Sequence, residues 1–296
     1  MPADPEPLWV EVNAWYLRHG RDLPWRTPTA SAWEVLVSEI MLQQTPVARV
    51  EPVWREWLER WPTPAHLAAV SPGDVVRAWG RLGYPRRALR LREAAVAITA
   101  EHGGEVPRTE AELLTLPGIG VYTAAAVVCF AHGERTVVID TNVRRVLARA
   151  VGGVALPAPS LDRADRERAT AQVPADRADA AVWNVAVMEL GALVCTARAP
   201  RCGDCPIEHR CAWVAAGRPV YEGPAHRGQA WAGTDRQCRG TLLTVLRETP
   251  DPVSDADLRR AWTRDEQQRL RCLDSLVADG LVEPLADGRF ALPSGS

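Results

Sequence analysis

The 296 residues predict an all-α body followed by a small winged-helix-like C-terminal domain, and three observations lead there. Apolar residues recur at helical spacing from residue 6 to 220, while strand-like alternation is scarce. Breaks at Pro62, Pro64, Pro72, Gly73, Gly103, Gly104 and Pro107 imply short helices joined by tight turns. Beyond residue 236, three helix-like stretches (RGTLLTVLRET, SDADLRRAW and DEQQRLRCLDSLVADG) precede LVEPLADGRFALP, which reads as a hairpin turned at Asp287-Gly288. That is the element order of a winged helix.

Within the body, Ser31 followed by Glu34 reads as a capping box opening a helix through about Gln43, and Thr109 with Glu112 reads as a second such start. Periodicity lapses over 222–235, a linker. With 47% hydrophobic and 24% charged residues the chain can bury a sizeable core, and its length suggests two or three structural units. The N-terminus lacks a basic segment followed by an apolar run, and no stretch approaches the roughly 18 apolar residues of a membrane span. A cytoplasmic protein with no membrane association is expected.

Formal net charge is -2, so composition by itself points to no nucleic-acid partner, and any such footprint must be local. Arg81, Arg86, Arg87, Arg90 and Arg92 form one basic cluster, Arg144, Arg145 and Arg149 a second, and Arg236 with Arg239 a third. A solvated arginine-rich face is the plain alternative for each. All 35 basic residues are arginine. Without lysine, Schiff-base chemistry on a sugar aldehyde is closed to every group but the N-terminal amine.

Cys195, Cys202, Cys205 and Cys211 follow the spacing C-x6-C-x2-C-x5-C. Such a continuous run suits four thiolates wrapped round a 4Fe-4S cluster, whereas zinc more often pairs two C-x2-C knuckles across a longer loop. Zinc and disulfides remain the alternatives. Cys129, Cys238 and Cys272 stand singly in helical patterns as buried thiols. Between the four, Arg198, Arg201, His209 and Arg210 offer positive charge to a phosphate.

Residues 113–131 place a Pro117-Gly118-Ile119-Gly120 turn between two apolar helical segments, where glycine admits close backbone approach and the N–H groups of the second helix favour an anion. Further on, the apolar run Val137-Val138-Ile139 ends in Asp140, which either caps the next helix or carries chemistry. Glu39 lies inside the apolar VLVSEIML, where a carboxylate must find a partner or take a raised pKa. A protonated carboxyl and an ionised one are the pair that glycosidic bond cleavage requires, one for the leaving group and one facing the sugar cation.

In combination, LPGIG, the aspartate and the cysteine array resemble the helix-hairpin-helix glycosylase superfamily that includes endonuclease III and MutY, over roughly residues 8–215. The resemblance implies that fold: an iron-sulfur domain from 1–29 and 137–221 and a six-helix barrel with the helix-hairpin-helix from 30–136, while the linker over 222–235 and the winged-helix-like domain from 236–296 lie beyond it. Two details favour the MutY branch. Tyr122 stands where endonuclease III has a catalytic lysine, which implies base removal without efficient strand cleavage, and Ser38–Thr45 (SEIMLQQT) is similar to the MutY motif. By this resemblance Glu39 protonates adenine at N7, Asp140 stabilises or traps the sugar cation, and Tyr122 and Asn142 support that centre. Gln44 and Tyr84 wedge the duplex, Thr45 and Leu82 touch 8-oxoguanine, Arg26 and Glu189 line the adenine pocket, and Gly118 and Gly120 meet DNA. The implied partner is double-stranded DNA with an A:8-oxoguanine or A:G mispair, bound by a nucleoid-associated monomer.

Each has a plain alternative: Tyr84 a core aromatic, Gln44 a helix-end polar residue, Arg26 a salt-bridge partner, Glu189 a capping acid. The chain also departs from the branch. Its tail reads as a winged helix where many members resemble a Nudix fold, and the common GLGYY becomes Arg81-Leu82-Gly83-Tyr84-Pro85. The tail is expected to add DNA affinity. Rival functions are the same scaffold acting on thymine opposite guanine or an oxidised pyrimidine, and a non-enzymatic iron-sulfur sensor that binds DNA.

Overall fold

A computed structural model describes residues 6–223 and 231–295, so 224–230 of the expected linker lie outside the described residues. Fifteen α-helices are formed among them: α1 (Leu8–His19), α2 (Ala32–Leu42), α3 (Val47–Arg60), α4 (Pro64–Ala68), α5 (Pro72–Trp79), α6 (Arg86–Glu101), α7 (Glu110–Leu113), α8 (Val121–Phe130), α9 (Thr141–Ala150), α10 (Arg163–Gln172), α11 (Arg177–Leu193), α12 (Ala212–Ala215), α13 (Asp235–Glu248), α14 (Asp255–Ala261) and α15 (Glu266–Ala278). One antiparallel hairpin follows, β1 (Glu283–Pro284) with β2 (Phe290–Ala291). Its turn carries Gly288 at φ 79°, where the sequence places Asp287-Gly288. At the start of α2, Ser31 and Glu34 exchange the two hydrogen bonds of a capping box.

The chain divides into two compact units. The first comprises residues 1–35, 108–111 and 120–225. Its centre is α11, packed on α1 and α9, with Trp15, Val146, Leu147, Trp183, Val187 and Leu190 in the core. Asp162 and Asp176 cap α10 and α11. Gly191 of α11 makes the α9 contact possible, because a Cβ there would lie 2.7 Å from the Asn142 Cβ.

The second unit holds residues 36–107, 112–119 and 226–296. Helix α6 packs on α4 and α5, and α13 gathers α14 and α15 around Leu242, Leu246, Leu258, Leu273 and Leu276. Val76 of α5 and Leu89 of α6 join that same cluster, so the tail helices share a core with the middle of the chain. Gly118 has φ 78°, and a Cβ there would meet the Arg90 Cβ at 2.6 Å. Both the backbone and the packing of the turn therefore demand glycine. Gly118→Ala is expected to lower unfolding stability by about 1–3 kcal/mol in urea titration.

Candidate functional site

In the first unit, the segment entering α9 is fixed from beneath by Asn184 of α11. Its Oδ1 accepts from the Val138 N–H (3.0 Å), and its Nδ2 donates to the Thr136 and Ala180 carbonyls (3.1 and 2.8 Å). Two backbone groups with no helical or sheet partner, the Val138 N–H and the Thr136 carbonyl, are thus satisfied by one buried amide. The segment ends at Asp140, the N-cap of α9: Oδ1 accepts from the Val143 N–H at 2.7 Å, and Oδ2 accepts from the Asn142 Nδ2 at 2.7 Å. The capping alternative raised by the sequence is therefore realised, and the carboxylate is oriented by it.

Asn142 is held in turn. Its Oδ1 accepts from Arg145 Nη2 at 2.7 Å, and the same guanidinium donates to the Gly191 carbonyl (2.7 Å) and the Cys195 carbonyl (2.7 Å). One connected path of hydrogen bonds runs from Asp140 to the first cysteine of the array. Tyr122, on α8, packs against Ala125, Ala126, Cys129 and Val138.

Burial pushes the Asp140 carboxyl above its ordinary value, opposed by the Val143 N–H, the Asn142 amide and the Arg145 charge. A carboxyl whose folded pKa exceeds its unfolded one costs stability when ionised, and the cost disappears as pH falls through the raised value. Asp140→Asn keeps a capping oxygen without the charge. At pH 7 the variant is spared the cost of the buried charge, and that advantage over the wild type is expected to shrink as pH falls, as thermal melts at pH 7 and in acid will read.

Glu189 is fully buried. Burial by itself would raise its pKa, but Arg21 donates to it through the backbone N–H (3.1 Å), Nε (2.6 Å) and Nη2 (2.8 Å), and Arg26 through Nη1 (3.0 Å), so the carboxyl is held below its usual value. Arg26 and Glu189 are thus one ion pair, and Arg21 is its third member, unmarked by any motif.

The four cysteines line one loop after α11, with Cys195, Cys202 and Cys205 half-buried and Cys211 buried. They pack against the core of the first unit. Burial, with the neighbouring Cys195, Cys211 and Cys202, pushes the Cys205 thiol up to about 12. Cys195 is also raised by burial, against a hydrogen bond from Arg149 Nη1 to its Sγ at 3.3 Å. Burial disfavours the thiolates of Cys195 and Cys205 until a compensating cationic group binds, and the set of four thiol donors fits an iron-sulfur cluster. Among the described residues no three donors are drawn to metal-ligand separation, so the fit rests on donor chemistry. Arg149 also stacks over Trp213 at 4.8 Å. Cys205→Ser is expected to lose bound iron and visible absorbance and to lower the melting temperature, read by iron assay and thermal melts.

In the second unit, Glu39 sits on α2 at 6% exposure. The turns after α2 and α5 carry the other candidates. Gln44 and Tyr84 are exposed and both adopt left-handed backbone (φ 56° and 48°), while Thr45 and Leu82 are buried and joined by Thr45 Oγ1 donating to the Leu82 carbonyl at 3.2 Å. At 47% exposure Tyr84 is no core aromatic. Arg87 holds the two turns together. It donates to the carbonyls of Ile40 (2.7 Å), Met41 (3.0 Å), Gln43 (2.7 Å) and Gly83 (3.0 Å) and to Thr45 Oγ1 (3.0 Å), and it stacks on Trp79 and Tyr84. Left-handed conformation costs a non-glycine residue about 1 kcal/mol, so Gln44 and Tyr84 persist only because this arginine over-determines their loops.

The second arginine cluster and part of the first are spent inside, while Arg81, Arg86, Arg90 and Arg236 stay exposed. Arg145 and Arg149 are buried, Arg144 bonds Asp165 at 2.5 Å, and Arg92 donates to the Val70 and Ala68 carbonyls. Gly120, at the start of α8, has open space around its Cβ position. No helix among the described residues is long and apolar enough to cross a membrane.

These features have relatives. Residues 37–168 match the HhH-GPD superfamily base excision DNA repair protein, and 195–211, from the first cysteine of the array to the last, match the iron-sulfur binding domain of endonuclease III. An adenine DNA glycosylase of Mycolicibacterium smegmatis is 57% identical over 96% of this chain and 95% of its own. That of Mycobacterium tuberculosis is 57% identical over 96% of this chain and 93% of its own. A solved thermostable thymine-DNA glycosylase is similar at a TM-score of 0.63 and 27% identity, covering 70% of this chain and 95% of that one. By descent and by fold, this chain belongs to the adenine DNA glycosylases of the HhH-GPD superfamily of base excision DNA repair proteins.

Proposed function

We propose that the protein removes adenine mispaired with 8-oxoguanine or guanine in double-stranded DNA by hydrolysing the N-glycosidic bond and leaving an abasic site, as a monofunctional glycosylase acting as a monomer. The observation that most supports the mispair is the SEIMLQQT segment at Ser38–Thr45, whose Gln43 and Thr45, on either side of Gln44, are bound through Arg87 to the Leu82–Tyr84 turn. Glu39 protonates adenine at N7. Asp140 stabilises or traps the sugar cation, with Asn142 and Tyr122 supporting it. Asp140 has what that role needs: two hydrogen-bond donors that fix it and a raised proton affinity that a nearby cation would lower.

The target base must leave the stack before a side chain reaches its glycosidic bond. Gln44 and Tyr84 fill the gap, Thr45 and Leu82 touch 8-oxoguanine, Arg26 and Glu189 line the adenine pocket, and the hairpin at Gly118 and Gly120 receives DNA. Cys195, Cys202, Cys205 and Cys211 would hold a 4Fe-4S cluster that supplies structural order to their loop, from which the exposed Arg198 projects. Residues 1–29 with 137–221 serve the cluster and Asp140, 30–136 the base and its mispair partner, and the protein works beside the nucleoid in the cytoplasm.

Incubation with duplexes carrying A opposite 8-oxoguanine, A opposite G and T opposite G, followed by alkali, tests the reading. Alkali-labile sites are expected at A in the first two. Glu39→Gln and Asp140→Asn are expected to lower the rate by at least ~100-fold. Borohydride is expected to trap no side-chain adduct, because the chain has no lysine. Cutting only at T opposite G would overturn the adenine assignment in favour of the thymine reading.

A further inference from the structure

Nine arginines and eleven carboxylates occupy residues 231–295. Most of the arginines are engaged within the tail: Arg239 with Asp279, Arg259 and Arg269 with Asp255 and Glu266, Arg260 with Asp257, Arg271 with Asp235 and Arg289 with Asp287. The outward residues of α15, the third helix of the winged-helix order, include Glu266, Gln267, Leu270, Arg271 and Asp274. A surface of mixed sign with paired cations is poorly suited to phosphate.

The tail is instead bound to both stems of the Gly80–Pro85 turn. On the α5 side there is an exchange of arginines between helix C-termini. Arg247 of α13 donates through Nε to the Val76 carbonyl of α5 at 3.0 Å, and Arg77 of α5 donates to the Arg247 and Thr249 carbonyls at the end of α13. Each guanidinium satisfies carbonyls that the other helix leaves open at its end. On the α6 side, Arg86 pairs with Asp279 at 3.2 Å, and Leu89 packs into the tail core. Between these two attachments lie Gly80, Gly83 and Tyr84, all at positive φ. Arg247 is an expensive residue to keep there: burial pushes its pKa to about 10, and among the described residues its Nη2 has no hydrogen-bond partner.

We propose that the C-terminal tail is a clamp on the wedge turn, and that Arg247, Arg77 and Asp279 act as positioning residues which set how strongly the enzyme prefers 8-oxoguanine over guanine opposite the target adenine. This rests on the reading of Leu82 and Tyr84 given above. The clamp works by removing conformations from a turn that must present Tyr84 in one left-handed geometry.

The test uses the full chain with Arg247→Met and Asp279→Asn, and Tyr84→Ala beside them. Three readouts are compared: the ratio of excision rates opposite 8-oxoguanine and opposite G, amide hydrogen exchange over residues 80–84, and affinity for undamaged duplex. Both tail variants are expected to lower the ratio by about three- to tenfold and to speed exchange in the turn by a similar factor, with duplex affinity unchanged. Exchange is measured on the folded protein, so a variant with reduced stability still reports on the turn, and the conservative Asp279→Asn guards against loss of Arg247→Met. A ratio and exchange unmoved in both tail variants, beside a reduced ratio in Tyr84→Ala, would overturn the clamp alone. Reduced affinity for undamaged duplex with the ratio intact would make the tail a DNA-binding element and likewise overturn it. If Tyr84→Ala leaves the ratio intact, the wedge reading falls and the discrimination role with it.

Discussion

Guanidinium groups turned inward onto backbone carbonyls hold the working parts of this molecule. A loop or helix end that must stay irregular leaves carbonyl oxygens without partners, and burying them unpaired is costly. Arginine answers this with five N–H donors in a rigid fork. Arg145 ties Asn142, Gly191 and Cys195, Arg149 ties Cys195 to the carbonyls that follow it, and Arg87 ties the end of α2 to the turn after α5. Where one of these is replaced, a whole loop loses its reference point, although no chemistry is performed by the arginine itself.

Within that frame the carboxylates are treated differently. Glu189 is buried between two arginines that hold its carboxyl low, so its charge is part of the fold. Asp140 receives donors enough to fix its direction, yet burial still raises its pKa. A charge left partly uncompensated is poor for stability and apt for meeting a transient positive centre. The Cys195 and Cys205 thiols follow the same logic, since burial raises both and a bound cationic group would relieve that cost.

Much of the architecture was legible because it is written in local chemistry. Ser31 and Glu34 form their capping box, Gly118 takes positive φ, and Asp287-Gly288 turns the hairpin, each for reasons contained in a few neighbouring residues. Adjacent thiols were legible by spacing. Long-range partners were not. Nothing near Asn184 in AAVWNVAV marks it as the support of residues 136–138, and Arg21, Gly191 and Arg87 acquire meaning only through residues far along the chain. The second arginine cluster was ambiguous for the same reason: clustering shows charge density, whereas Arg145 and Arg149 face inward because α9 turns them toward α11 and the cysteine loop.

The double duty of Asp140 as reactive candidate and helix cap has a consequence for how variation at this position is seen. Asparagine and serine rank with aspartate as N-caps, and neither carries the buried charge. Under the role proposed for Asp140, a survey that scores cellular abundance would pass such substitutions as benign, while one that scores mutation frequency would reject them, and position 140 would be conspicuous as a place where the two surveys part company.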